Sequence, residues 1–462
     1  METITSTSSR QAPLTRYEPP VAAPSIPEEP AGPVWPLWQR LLFRFFFVYF
    51  LLQIQPWRWF GAIPGVPFVI RYYAMATDWA VRASNARLFH VRDPLVPMNG
   101  SGDTSYAWAQ LWLYLSLAGI ACIVWTIADR KRTNYDRLAF WLRMIVRYYI
   151  AIAALSYGII KLFLLQMPFP ALSQLATPLG DLLPMRFSWL FIGYSVPYQF
   201  FSGAMETTAG LLLLYRRTVT AGLFAATGAF LNVVMINISY DVPVKLFALH
   251  LLFSCLFLLA LDSRRLLGFL VLNQGAPPTT AYEPRFARPW QQWGSIGVKL
   301  FFVYEFLVLP LQNGWNRYKS TNSAQASGPF RLGVYDVRRY VVNRDTVPAT
   351  SSDTLRWRDV IIDGAAAGSV NTTDQVFWQR YRRGYFRYRP DPVTRTVSVW
   401  KTSAIPRDST FLFTMRYEIP DTNTIRFHTV IRGDSVHVEL VRTDRHFQLA
   451  ERQFHWLSEY NR

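Results

Sequence analysis

Seven long apolar stretches constrain this chain more than anything else in it. They lie near residues 37–55, 105–127, 141–165, 196–215, 219–238, 243–261 and 294–312. A helix needs roughly 20 apolar residues to cross the hydrocarbon core of a bilayer, and its backbone must satisfy its own hydrogen bonds there. Each stretch is therefore expected to be a transmembrane helix. The first, LWQRLLFRFFFVYFLLQIQ, is the least clean because it carries Arg44. Between the first two, the segment 56–104 mixes aromatics and arginine at helical spacing (FVIRYYAMATDWAVRASNARLF), which predicts an amphipathic interfacial helix. The stretch 166–195 is broken by proline and glycine. It predicts an outer-surface loop leading into a helix kinked near Pro197.

From about residue 313 the period of hydrophobicity changes to two. FLFTMRYEI, TIRFHTVI and SVHVEL each place alternate apolar residues on one face, and GVYDVRRYVVN, GYFRYR and VTRTVSVW predict earlier strands. Short strands at close intervals predict an antiparallel barrel or sandwich. Arg432-Gly433-Asp434 matches an adhesion tripeptide, but it lies between two strand patterns, where a hairpin turn accounts for it. The expected organisation is a disordered tail over 1–33, rich in Pro, Ser, Thr and Ala, a transmembrane helical domain over 34–312, and a β-rich domain over 313–462.

Charge sets the expected orientation. The net charge of +18 could suggest nucleic acid, but the basic residues gather in alternate loops. Arg130, Lys131, Arg132 and Arg137 fall in one, Arg216 and Arg217 in the next, and Arg264, Arg265, Arg285 and Arg288 after the sixth stretch. Positive loops stay cytoplasmic, so the N-terminus is expected inside a bacterial inner membrane and the β domain in the periplasm. The arginines of 56–104 run against this, as long segments often do. With the basic residues explained, no nucleic-acid partner is expected; the bilayer is. Two cysteines, both in apolar runs, and six histidines without metal spacing predict no disulfide, dithiol centre or zinc site. No nucleotide-binding glycine motif is present, and haem lacks a paired histidine.

Charged side chains inside membrane helices are costly and mark candidate sites. Ala151, Ala154, Gly158 and Lys161 share one face of the third stretch, and Gly203, Glu206 and Gly210 share one face of the fourth. The sixth opens on Tyr240-Asp241-Val242-Pro243-Val244-Lys245, where Asp241 is a candidate N-cap and Pro243 suits a first turn. One reading gathers Lys161, Glu206, Asp241 and Lys245 into a buried polar cluster that opens to the outer face, binding a polar head group or relaying protons. The other pairs Lys161 with Glu206 to lock the bundle, while Asp241 caps and Lys245 extends outward. His250 is expected to be an interhelical hydrogen-bond partner, and Lys299 and Glu305 to contact different neighbours.

The run Tyr157-Gly158-Ile159-Ile160-Lys161-Leu162, followed by Gly203-Ala204-Met205-Glu206 with Gly210-Leu211-Leu212-Leu213-Leu214 and Arg217-Thr218, resembles the DoxX-like membrane family. Asn232, Asn237-Ile238-Ser239-Tyr240-Asp241-Val242-Pro243-Val244-Lys245-Leu246 and His250-Leu251-Leu252 look like its larger members, which carry extra helices and an exported domain. The resemblance covers about residues 141–262 and implies a four-helix core. It also implies association with membrane oxidoreductase or quinone-linked assemblies, with Lys161 and Glu206 at the family's lysine and glutamate positions and Tyr157, Asn237 and His250 as secondary candidates. Quinone is the cofactor it suggests, and a redox or envelope protein the partner. A non-enzymatic envelope protein, whose β domain binds a partner or lipid above a helical anchor, is the alternative.

Overall fold

The computed structural model describes residues 34–275, 288–323, 329–349, 356–364, 366–373, 379–381, 383–402, 410–452, 455–457 and 459. The expected 1–33 tail and Arg285 lie outside the described residues. The helices are α1 Leu37–Ile54, α2 Val66–Ser84, α3 Ser105–Ala128, α4 Asp136–Leu162, α5 Leu172–Leu175, α6 Pro184–Tyr194, α7 Val196–Leu214, α8 Val219–Ser239, α9 Lys245–Leu261, α10 Ser263–Leu270, α11 Pro289–Val303 and α12 Leu309–Ser323. A π-turn over Tyr304–Val308 joins the last two.

Among the described residues, five helical runs are long and apolar enough to cross a membrane: Leu37–Phe60, Ser105–Ala128, Asp136–Leu162, Arg216–Ser239 and Pro289–Ser320. A sixth is reached if α9 and α10, bent by 79°, form one span. This differs from the seven expected. The fourth stretch, 196–215, does fold as α7, but it falls short in apolarity, with Gln199, Glu206 and Thr207 on its buried face. Apolar side chains also point outward: Ile120, Ile123, Val124 and Ile127 of α3 are each more than half exposed. Such a girdle is a liability in water and a match for acyl chains, so the chain reads as a membrane protein.

Four helices close a ring, α4 on α7, α7 on α8, α8 on α9 and α9 back on α4. The pair α1 and α3 packs beside it, with α1 also touching α4. Arg44 of α1 is only 1% exposed, yet it is satisfied: its guanidinium donates to Tyr135 Oη at 2.7 and 3.0 Å, Thr126 Oγ1 at 2.8 Å and the Asp129 carbonyl at 3.0 Å. A buried arginine with all its bonds directed between elements fixes helix placement rather than opening a site.

The expected cap of the sixth stretch is corrected. Asp241 takes a left-handed backbone (φ 49°), is 84% exposed at its side chain, and precedes α9 by a turn. The helix starts at Lys245, and its cap comes from a distant segment. Asp103, just before α3, accepts from the backbone N–H of Lys245 at 2.8 Å and of Leu246 at 2.9 Å. A carboxylate here satisfies two orphan donors and meets the positive end of the helix dipole. It also fixes the start of α3 at the same end of the bundle as the start of α9. Asp103→Ala is expected to destabilise the bundle by about 1 kcal/mol, and Asp241→Ala by far less, in detergent unfolding titrations.

The strands are β1 Gly333–Val342, β2 Asp345–Thr346, β3 Asp359–Gly364, β4 Ala367–Asn371, β5 Gln379–Arg380, β6 Arg383–Asp391, β7 Thr396–Lys401, β8 Phe411–Asp421, β9 Thr424–Ile431 and β10 Asp434–Thr443. Eight of them run antiparallel in the order β1-β3-β4-β6-β7-β8-β9-β10, and β10 pairs with β1 from Val334↔Thr443 to Val342↔Val436. That pairing makes the fold a closed barrel and removes exposed sheet edges. Arg432 and Gly433, at φ 56° and 94°, form the tight hairpin between β9 and β10. The alternate residues seen in the sequence, among them Phe413, Met415, Tyr417, Phe427, Val438 and Leu440, fill the lumen. The space left inside is about 20 Å³, scarcely one water molecule.

The barrel docks on the segment between α4 and α7. Ser173 of α5 donates its backbone N–H to Asp363 Oδ1 at 2.9 Å, and its hydroxyl bonds Asp363 Oδ2 and Ser369 Oγ. Arg383 reaches Ser369 Oγ at 2.8 Å and pairs with Asp359 at 2.5 Å. Ala176 packs with Val334 and Ile361 beside this network. Burial holds the Asp363 carboxyl above the usual carboxylate range, with the Ser173 donors opposing the shift. A carboxyl whose pKa rises on folding adds stability below its ordinary range, and loses that contribution as pH rises through the raised value. Acidification through that window should therefore stabilise the wild type relative to Asp363→Asn, which does not titrate. A Tm difference independent of pH would refute this.

Candidate functional site

The contact between α4 and α7 is built from glycine. A Cβ on Gly158 would stand 2.6 Å from the Thr207 nitrogen and 2.9 Å from the Gly203 carbonyl oxygen; one on Gly203 would stand 2.8 Å from the Gly158 oxygen. The two backbones thus touch, as small-residue stripes in membrane helices permit. This approach carries Lys161 and Glu206 into direct contact. Lys161 Nζ donates to Glu206 Oε1, with side-chain exposures of 7% and 3%.

The pair does not use all its capacity. Glu206 Oε2 is buried without a hydrogen-bond partner among the described residues, as are Thr207 Oγ1 and Gln199 Nε2 on the same helix. Gln199 lies seven residues, two helical turns, before Glu206, so the two share a face. A carboxylate oxygen and an amide N–H offer an acceptor and a donor along one line of α7. Neither Gln199 nor Thr207 stood out in the sequence, though the seven-residue spacing from Glu206 was there to be read.

The four expected site residues do not form one cluster. Lys245 Nζ pairs with Asp241 Oδ1 at 2.6 Å and lies 3.8 Å from Asp103 Oδ2, at the partly exposed start of α9. No hydrogen bond or ion pair among the described residues joins this group to Lys161 and Glu206. The separation has a physical cause: the Asp241 side chain is exposed, whereas Lys161 and Glu206 are buried beside the glycine contact. Asn237 is buried below that turn and donates to the Val244 carbonyl at 3.4 Å, tying α8 to α9. The Tyr157 ring lies 5.9 Å from that of Phe247. His250 accepts the expected interhelical role, bonding the Tyr49 hydroxyl of α1 through Nε2 and the Leu246 carbonyl through Nδ1, the latter at 2.6 Å. Both ring nitrogens are thereby occupied. Among the described residues no group of three or more His, Cys, Asp or Glu side chains is placed to hold a metal ion.

Comparison with known proteins gives little beyond this geometry. No protein-family model matches the chain, and no solved structure matches it. The chain is similar to a Bacillus subtilis (strain 168) protein described as "Uncharacterized protein YwoB", with 37% identity over 81 residues. That alignment takes in 18% of this chain and 53% of the relative, so the chain spans about half the length of the curated protein it matches.

Proposed function

We propose that this is a DoxX-like bacterial inner-membrane protein whose ring of four helices binds the polar head of a quinone or comparable lipid at Lys161 and Glu206, as a subunit of an oxidoreductase or quinone-associated system. The N-terminus is cytoplasmic and the barrel periplasmic, in line with the basic loops at one end of the bundle. The observation that carries the reading is the unused acceptor on Glu206. A buried ion pair that merely locks two helices is expected to have its remaining lone pairs satisfied within the protein. Glu206 Oε2 and Gln199 Nε2 leave an acceptor and a donor for a group that brings the complement. A quinol, the reduced form of a quinone, and hydroxylated lipid heads offer both.

The test is purification from native membranes followed by mass spectrometry of co-purifying lipids, quinones and proteins. Wild type is expected to retain a quinone or lipid that Glu206→Gln and Lys161→Met lose. Folded variants with undiminished ligand content would leave the pair with a purely structural role. A second reading has its own support: the barrel lumen is full, so a barrel acting as a binding module would use its outer wall. Photo-crosslinking from that wall in the intact chain, yielding a protein partner independent of Glu206, would favour the non-enzymatic envelope protein.

A further inference from the structure

The outer wall of the barrel carries a feature unrelated to the bundle. His428 on β9 and His437 on β10 stand directly opposite one another in register, with ring centroids 4.6 Å apart and planes at 73°. Their Nδ1 atoms face each other in hydrogen-bond contact. On its far side, His437 Nε2 bonds Ser435 Oγ at 3.1 Å. In the tautomer with the proton on Nε2, His437 donates to Ser435 Oγ and its Nδ1 lone pair is aimed at His428. The arrangement is that of metal-bound imidazoles, in which one nitrogen binds and the other is held by an outer hydrogen bond that fixes ring and tautomer.

We propose that His428 and His437 form a two-imidazole site for a divalent transition-metal ion of the zinc type on the outer wall of the barrel. Both ligands bind through Nδ1, and water completes the coordination. The ion takes the place of the proton now held between the two nitrogens; His428 carries that proton on Nε2 instead, exchanged through water, so both ligands remain neutral imidazoles and no net proton is released. The surrounding charges come close to balance. Arg416 on β8 lies opposite His428, whereas Arg426 is already paired with Glu439 at 3.0 Å, and Glu418 adds a carboxylate on β8. Imidazole donors suit zinc, copper and nickel and disfavour magnesium and calcium.

The test is calorimetric titration of the full-length protein in detergent with Zn2+ alone at neutral pH, with Mg2+ as the contrasting ion. Wild type should bind one Zn2+ at this site and no Mg2+. His428→Ala and His437→Ala should each weaken that binding at least about tenfold, because loss even of an outer hydrogen-bond partner costs that much; Ser435→Ala should weaken it by about tenfold. All three side chains face outward, so circular dichroism and Tm should be unchanged. His446, 3.1 Å from Glu451, is a second imidazole–carboxylate pair outside the site, and His446→Ala should leave the affinity as it was. Equal Zn2+ affinity in wild type and the His428 and His437 variants would overturn the proposal, as would no binding by the wild type.

Discussion

Glu206→Leu is expected to lower the unfolding free energy of the bundle by about 3–5 kcal/mol, the cost of leaving a buried charge without its counter-ion. The ammonium left behind on Lys161 is 7% exposed and sits beside the glycine contact of α4 and α7. Lys161→Met should cost a similar amount by stranding the carboxylate. The double variant Lys161→Met/Glu206→Leu removes both charges and should recover most of the loss, because an apolar pair of similar volume serves the interior about as well. Unfolding titrations in mixed micelles give all three values. If either single variant falls within about 1 kcal/mol of wild type, the pair behaves like an exposed one and the burial argument fails. A stable double variant that no longer retains a ligand would separate the two roles of the pair, since it keeps the fold and removes only the polar groups.

Gly158→Ala is the second large expected effect. The added methyl meets the backbone nitrogen of Thr207 and the backbone oxygen of Gly203, neither of which can rotate aside. The helices must separate along their closest contact, at a cost of about 1–3 kcal/mol and with loss of the Lys161–Glu206 geometry. Gly228 of α8 and Gly119 of α3 supply the contrast, because a Cβ at either position meets nothing within 4 Å. Alanine there should be neutral or raise stability by up to about 1 kcal/mol, following helix propensity alone. Equal effects at Gly158 and Gly228 would show that propensity, not contact, governs both.

These expectations separate what a local pattern can convey from what it cannot. The strands of the barrel were legible because a period of two survives in every segment that has one buried face. FLFTMRYEI became β8, TIRFHTVI β9 and SVHVEL part of β10. The seven apolar stretches were legible as helices for the same kind of reason. The number that meet the length and apolarity of a membrane span was not, because hydropathy sums every face of a helix. In α7 the polar residues Gln199, Glu206 and Thr207 face inward, so a low sum hides a helix that packs in the ring.

The misplaced cap shows the opposite limit. Asp241 sits where a sequence rule puts a capping residue, yet Asp103 occupies the N-terminus of α9 from 142 residues away. A helix end accepts any carboxylate that reaches it, and only tertiary structure decides which one does. The same holds for the candidate site. Lys161 and Glu206 were legible because a charge amid apolar residues stands out, and their shared faces with glycine indicated an interface. Gln199 and Thr207 were not, because an uncharged polar residue in a helix acquires meaning only when burial removes its solvent partners.

The sequence by itself determined the elements: apolar helices followed by alternating strands, with glycine and charge on particular helix faces. Tertiary structure decided the closures. It joined β10 to β1, locked Arg44 between α1 and the α3–α4 turn, docked Ser173 on Asp363, and divided one expected polar cluster into a sealed pair and a wet one. Local periodicity follows from which face of an element is buried, and that is written residue by residue. Which distant groups meet depends on how those faces close on one another, and no local pattern carries that information.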